Sequence, residues 1–80
     1  MSITTELQVL QVIAEHLGLS VEDLDRNADL REELSLGPIE LNDLLSHLAL
    51  EFEVSFKPDE IEDLQKVEDL IVLVEDNLLD

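Results

Sequence analysis

The chain has 80 residues, of which 21 are acidic and 4 basic, so its formal net charge at pH 7 is −17. This charge repels phosphate backbones and anionic lipid headgroups, which argues against nucleic-acid binding and membrane-surface binding. The lack of cysteine excludes a disulfide framework and a thiol nucleophile, while a hydrophobic content of 45% argues against disorder.

These properties set the expected class of protein. The length suits one small domain spanning residues 1–80, and no apolar run is long enough for membrane insertion. The amino terminus has no basic region followed by an apolar stretch, as a secretory signal would. We therefore expect a monomeric cytoplasmic protein whose natural partners are basic protein surfaces.

The first predicted element is a helix from about residue 5 to residue 17. Its apolar residues recur every three or four positions, as they do on one face of a helix. These residues are Leu7, Leu10, Ile13, Ala14 and Leu17. Gly18 follows at once and suits the left-handed residue that closes a helix.

A long loop is predicted from residue 19 to residue 37. Ser20 and Asp23 form a capping pattern that starts only a short helical turn. A loop of this length stays ordered when its own side chains reach the core. The expected anchors are Val21, Leu24, Ala28, Leu30 and Leu34.

The second helix is predicted to begin at Pro38, because proline at the first helical position loses no hydrogen bond. The apolar face of this helix comprises Leu41, Leu44, Leu45, Leu48 and Phe52.

Two further helices complete the chain. Pro58 opens a short helix that runs through Ile61 and Leu64. The apolar face of the last helix comprises Val67, Leu70, Ile71, Val74 and Leu78. No alternating strand pattern is present, so the predicted fold class is all-α, with three long helices and one short one. The expected interior includes Leu10, Ile13, Leu17, Leu44, Leu48, Phe52, Val67, Leu70, Ile71 and Val74.

Catalytic and metal-binding patterns are weak. His16 and His47 lie on separate predicted helices, and a lone histidine on a helix surface is usually a solvated polar residue. Asp25, Asn27 and Asp29 match the first three ligand positions of a calcium loop, but apolar residues stand where that loop needs glycine and glutamate. We therefore predict no enzyme activity and no metal site.

The remaining distinctive segments carry a family resemblance. The segments are ELSLGPIEL at residues 33–41, LGL at 17–19, VSF at 54–56 and VEDLI at 67–71. Together with the small acidic domain and its helix pattern, they resemble the acyl carrier protein family over essentially the whole chain. The resemblance implies a small four-helix bundle with a short third helix and a long loop between the first two helices.

The resemblance also implies a function. Members of this family are non-catalytic proteins that carry a phosphopantetheine arm on a serine within a D-S-L motif, at the start of the second helix. A phosphopantetheinyl transferase attaches the arm. The implied function is presentation of a tethered acyl group to partner enzymes of fatty-acid or related acyl metabolism.

The attachment residue has two candidate positions. An alignment without gaps places Pro38 where the family has its serine and Gly37 where it has aspartate, and proline has no hydroxyl. A second register uses Ser35, because the residues after it resemble the family's S-L-x-x-V/I-E-L string. That register requires three extra residues before Phe52 and places Leu34 where the family has aspartate. The simpler interpretation of Ser35 is an ordinary loop or capping serine.

The outer face of the second helix is the candidate partner-binding surface. Glu40, Asp43 and Glu51 resemble the acidic positions that basic partners recognise in this family, although a plainly solvated face explains them equally well. Ala49 and Leu50 occupy positions where carrier proteins usually keep acids, so this surface is more apolar than is usual in the family.

Two alternative functions stay open from the sequence. A degenerate carrier-like module would keep the surface, lack the arm and act as a protein-interaction or regulatory subunit. A noncovalent acyl-chain binding protein would use the leucine-rich, aromatic-poor core, which could repack at modest cost.

Overall fold

The computed structural model describes residues 3–78, and this part of the chain contains four α-helices joined by loops. Helix α1 spans Ile3–Leu17, α2 spans Pro38–Phe52, α3 spans Pro58–Glu62 and α4 spans Val67–Leu78. Over these residues the only β-structure is an isolated antiparallel bridge. The prediction of an all-α fold with three long helices and a short third helix is confirmed.

The ends of the helices follow from local sequence. Gly18 closes α1 with a φ of 73°, in the left-handed region that glycine enters without a Cβ clash. Pro38 is the first residue of α2, where its missing N–H is one that a helix start leaves unpaired. Glu53 ends α2 in a left-handed conformation with a φ of 53°.

Helix α1 packs against both α2 and α4, and α2 packs against α4. The side chains between these helices form one apolar core in which Ile13, Leu44, Leu48 and Leu70 are almost or fully buried. The buried residues of this core are Val9, Leu10, Ile13, Ala14, Leu24, Ala28, Leu30, Leu36, Leu41, Leu44, Leu45, Leu48, Leu64, Val67, Leu70, Ile71, Leu73 and Val74.

The loop between α1 and α2 is anchored to the core and to the start of α4. Among the predicted anchors, Leu24, Ala28 and Leu30 are buried, while Val21 and Leu34 are partly buried against the core. The Leu30 N–H donates to the Gln65 carbonyl at 2.8 Å, and the Val67 N–H donates to the Ala28 carbonyl at 3.1 Å. These bonds fix the loop that leads into α2.

Several expected core positions are more exposed than the periodicity predicts. Leu17 and Phe52 are only partly buried, because each is the last residue of its helix and one side of it faces solvent. Leu7 and Leu78 are exposed. Val9 and Leu73 lie buried outside the predicted faces. Because α1 packs against two helices at once, it buries a wider face than a single stripe.

Within the described residues, no helix combines the length and the apolar character that crossing a membrane requires.

Candidate carrier site at the start of the second helix

The backbone at the start of α2 is set by a glycine and a proline. Gly37 is the N-cap residue, with extended backbone at φ −78° and ψ 178°. Its carbonyl accepts the first helical hydrogen bond, from the Leu41 N–H at 2.9 Å. Pro38 then takes the first helical position, so the residue at the exposed end of α2 has neither an N–H nor a hydroxyl.

The Glu40 side chain folds back toward this helix end. A Cβ atom added at Gly37 would lie 2.6 Å from Glu40 Oε1, so the carboxylate lies against the N-cap. A negative charge there interacts favourably with the positive end of the helix dipole. The chain therefore supplies its own anionic group at the start of α2.

Ser35 lies in the loop before α2, two residues ahead of the N-cap. It is exposed, and its backbone is left-handed with a φ of 57°. The backbone of the next residue, Leu36, is held in place by a hydrogen bond, which its N–H donates to the Leu30 carbonyl at 2.9 Å. Ser35 and Pro38 line the same open depression of about 440 Å³, together with Arg31.

These residues fit a phosphopantetheine arm only in part. Attachment is a phosphodiester to a hydroxyl oxygen, and Pro38 at the helix start has none. Ser35 supplies a hydroxyl, and Arg31 beside the same depression is a cation suited to a phosphate. The hydroxyl and the helix end, which coincide in the family's motif, are three positions apart in this chain. The attachment role of Ser35 stays a prediction.

The predicted partner-binding residues are all exposed. Glu40 lies in the first turn of α2, Asp43 follows one turn later and Glu51 lies near the carboxyl end. The sequence of α2 contains no lysine or arginine. The surface is therefore anionic along its length, as recognition by basic partners requires. The role of Glu40, Asp43 and Glu51 in partner binding stays a prediction.

Two histidines predicted to lie on separate helices meet on one side of this surface. The rings of His16 on α1 and His47 on α2 have centroids 5.3 Å apart, with an interplanar angle of 31°. His47 Nε2 also lies 3.8 Å from Glu51 Oε1, one helical turn further along. Sequence spacing does not reveal this contact, because it depends on how α1 packs against α2.

Two of the three candidate calcium residues, Asp25 and Asp29, accept backbone hydrogen bonds within the loop. Asp25 Oδ1 accepts from the Asn27 N–H at 2.8 Å. Asp29 Oδ1 accepts from the Arg31 and Glu32 N–H groups at 2.9 and 2.8 Å, and these bonds hold the pKa of the Asp29 carboxyl below its usual value. In the part of the chain that the structure describes, no group of three or more His, Cys, Asp or Glu side chains is placed to hold a metal ion.

Sequence reasoning did not identify two features of this region. Ile39, on the second position of α2, has 75% of its surface exposed. Arg31 lines the same depression as Ser35, although the two residues are four positions apart in the chain. The exposure of Ile39 follows from its position off the predicted apolar face of α2. The position of Arg31 had no signal in the sequence, because the loop that leads to α2 has no helical periodicity.

Comparison with known proteins supports the family resemblance. A family model described as "Phosphopantetheine attachment site" matches residues 7–74. An acyl carrier protein of Saccharopolyspora erythraea is 33% identical over 60 residues, which are 75% of this chain and 63% of that protein. This chain therefore aligns with somewhat less than two thirds of that relative's length. An acyl carrier protein of Nitratidesulfovibrio vulgaris is 25% identical over 71 residues, or 89% of this chain and 93% of that protein.

The fold agrees with these matches. The crystal structure of an acyl carrier protein from Thermotoga maritima superposes with a TM-score of 0.78 at 24% sequence identity, covering 99% of this chain and 96% of that one. The four helices thus form an acyl-carrier-type bundle. The chain belongs to the phosphopantetheine attachment-site family. Acyl carrier proteins of this family are carriers and not enzymes, and phosphopantetheine is the group that its domains carry.

Proposed function

We propose that this chain is a non-enzymatic carrier-type module of acyl metabolism, such as fatty-acid biosynthesis, without an arm at the start of α2. Enzymes that handle acyl groups would recognise it through the acidic surface of α2. In this proposal the module is a single cytoplasmic domain that acts as a protein-interaction or regulatory subunit.

The observation that carries the proposal is the identity of the first residue of α2. Pro38 occupies the helix start, where the family's serine is expected in the register without gaps, and a proline ring cannot form a phosphodiester. The Glu40 carboxylate lies against the same helix end, so an added phosphate would meet a like charge there. Both features oppose an arm at this position.

The retained surface supports recognition by basic partners. Glu40, Asp43 and Glu51 project from a helix that contains no lysine or arginine, on a chain whose net charge is −17. Such a surface steers basic partners into encounter and discriminates against acidic ones. A module with this surface can occupy carrier-binding sites whether or not it bears an arm.

A second candidate function keeps the arm, on Ser35. Its support is the exposure of Ser35 and the depression that it shares with Arg31. In this version the transferase would modify the loop, and the chain would present an acyl group as an acyl carrier protein does.

Mass spectrometry distinguishes the two candidates. The protein would be incubated with coenzyme A and a broad-specificity phosphopantetheinyl transferase, alongside a Ser35→Ala variant and a Gly37→Asp/Pro38→Ser double variant. The double variant restores the family's aspartate and serine at the helix start. The aspartate side chain introduced by Gly37→Asp requires only that the flexible end of Glu40 swing away. Circular dichroism would establish that each variant is folded.

We expect no mass change in the unaltered protein and the gain of one phosphopantetheine in the double variant. That result would leave docking through the acidic surface as the function. Modification of the unaltered protein that disappears in Ser35→Ala would instead establish the carrier with its arm on Ser35.

A further inference from the structure

The two histidines of the sequence lie against one another where α1 packs on α2. The ring centroids of His16 and His47 are 5.3 Å apart, and the rings are tilted by 31°. Two imidazoles bound to one tetrahedral Zn²⁺ through bonds of about 2.0–2.1 Å have their centroids roughly 5 Å apart. The spacing of this pair therefore matches that of two ligands on one metal ion. The sequence alone predicted no metal site, because the two histidines are far apart in the chain.

A carboxylate lies beside the histidine pair. His47 Nε2 is 3.8 Å from Glu51 Oε1, one turn further along α2. Two ligand atoms on a tetrahedral Zn²⁺ are about 3.3 Å apart, so a small rotation of the Glu51 side chain brings its oxygen into range. Glu15 of α1 lines the same depression as Glu51 and adds a second negative charge. Two imidazoles and one carboxylate are a ligand set that zinc uses in proteins, with water in the fourth position.

The three side chains are accessible from solvent. The side chains of His47 and Glu51 are 40% and 53% exposed, and His16 is also exposed. A metal ion can therefore reach them, and water can complete its coordination. Neither imidazole forms a hydrogen bond within residues 3–78. The sequences of α1 and α2 contain no lysine or arginine, so no fixed cation on these two helices opposes a bound metal ion.

We propose that His16, His47 and Glu51 form a Zn²⁺ site that links α1 to α2. Within residues 3–78 no three such side chains are placed to hold a metal ion as they stand, so Glu51 joins the two imidazoles by rotating toward them. Zinc is favoured over Mg²⁺ and Ca²⁺, because imidazole nitrogen suits transition metals whereas those two ions take oxygen ligands. Since the site exists only when α1 and α2 are in contact, Zn²⁺ stabilises the folded chain. The proposal goes beyond the proposed function, because it needs neither an arm nor a partner protein.

Titration of the purified full chain with Zn²⁺ tests the proposal. Binding would be measured by isothermal titration calorimetry near neutral pH at about 150 mM NaCl, which screens the general attraction of cations to the acidic surface. The same titration with Mg²⁺ measures what remains of that attraction. The variants are His16→Gln, His47→Gln and Glu51→Gln. The matched control is Glu62→Gln, which removes the same charge as Glu51→Gln from an exposed residue of α3 that forms no ion pair within the described residues.

We expect one Zn²⁺ per chain and a loss of affinity of at least tenfold in each histidine variant, since even residues that only support a metal ligand cost about 10–100-fold when replaced. Glu51→Gln should bind Zn²⁺ more weakly than Glu62→Gln does. The Tm of the unaltered protein should rise by roughly 5–10 °C for each tenfold increase in Zn²⁺ above the dissociation constant. The histidine variants should lose this rise and keep the response of the unaltered protein to Mg²⁺.

A measurement without variants completes the test. Zn²⁺, and not Mg²⁺, should shift the NMR signals of the ring nitrogens of both His16 and His47 in the unaltered protein. Zn²⁺ affinity that is unchanged in both histidine variants, or ring signals that do not move, would assign binding to the acidic surface as a whole and overturn the proposal. Equal effects of Glu51→Gln and Glu62→Gln would overturn the assignment of Glu51 as a ligand. A Zn²⁺-dependent dimer in sedimentation that His16→Gln dissociates would place the histidines between two chains and overturn the link from α1 to α2.

Discussion

Arg26 Nη1 lies 2.7 Å from Glu6 Oε1 and so joins the long loop to α1. The same guanidinium lies 3.6 Å from Glu68 on α4, and the Glu68 N–H donates to the Arg26 carbonyl at 2.8 Å. One of only four basic residues thus connects the loop to α1 and to α4.

Replacement of Arg26 should therefore destabilise the fold modestly. Arg26→Gln removes both ion pairs, and because the side chain is 46% exposed we expect a loss of about 0.5–1 kcal/mol in urea unfolding. Lys57→Gln is the control, since it removes the same charge from a residue that forms no ion pair within the described structure. Equal losses in the two variants would show that net charge, and not the bridge, is responsible.

Phe52 is the largest side chain that periodicity assigns to the interior, and the structure places it at the core's edge. Burial would imply a loss of roughly 3 to 5 kcal/mol for Phe52→Ala. Because Phe52 is only partly buried, we expect a smaller loss, about 1–2 kcal/mol. Leu48→Ala, at a fully buried position of the same helix, should cost about 2–5 kcal/mol. The order is checked by the two urea midpoints, and a larger loss at Phe52 would contradict it.

The sequence predicted the helices well, and it predicted the edges of the core less well. Pro38, Gly18 and the spacing of leucines act through local geometry, so their consequences are visible without a structure. The burial of Leu36 and the exposure of Phe52 depend on where neighbouring elements end, which periodicity does not record. The contact between His16 and His47 depends in the same way on how α1 packs against α2.

At the candidate site, too, the sequence predicted what depends on residue identity and missed what depends on the packing of side chains. The sequence alone showed that Gly37-Pro38 replaces the expected Asp-Ser, because the identity of a residue needs no coordinates. It left both registers open, because Ser35 and Pro38 each satisfy only part of the family's motif. It could not place the Glu40 carboxylate against Gly37, or Arg31 in the same depression as Ser35.

Asp29 should give the fold an acid-sensitive contribution. Hydrogen bonds from the Glu32 and Arg31 N–H groups lower the pKa of the folded Asp29 carboxyl from its ordinary 3.8. A group with a lowered folded pKa stabilises the protein above its unfolded pKa and loses that effect as pH falls through the folded value. The difference in Tm between the unaltered protein and Asp29→Ala should thus be constant near neutral pH and shrink below about pH 4.

Asp29→Asn is the control for this prediction, because its amide oxygen still accepts both N–H groups while carrying no charge. Its stability relative to Asp29→Ala should vary little with pH. A difference between Asp29→Ala and the unaltered protein that persists at full size below about pH 3 would mean that the ionised carboxylate is not what stabilises the turn.

The charge of the whole chain predicts a salt response. With 21 carboxylates and four basic residues on 80 residues, like charges repel across the folded surface, and the unfolded chain relieves this by expanding. Added salt screens the repulsion, so Tm should rise from low to moderate NaCl, and further per ion with MgCl₂. Mild acid should also raise Tm, until protonation removes the contribution of Asp29. A Tm that stays flat between about 10 and 300 mM NaCl, where the screening length falls severalfold, would show that repulsion does not limit stability.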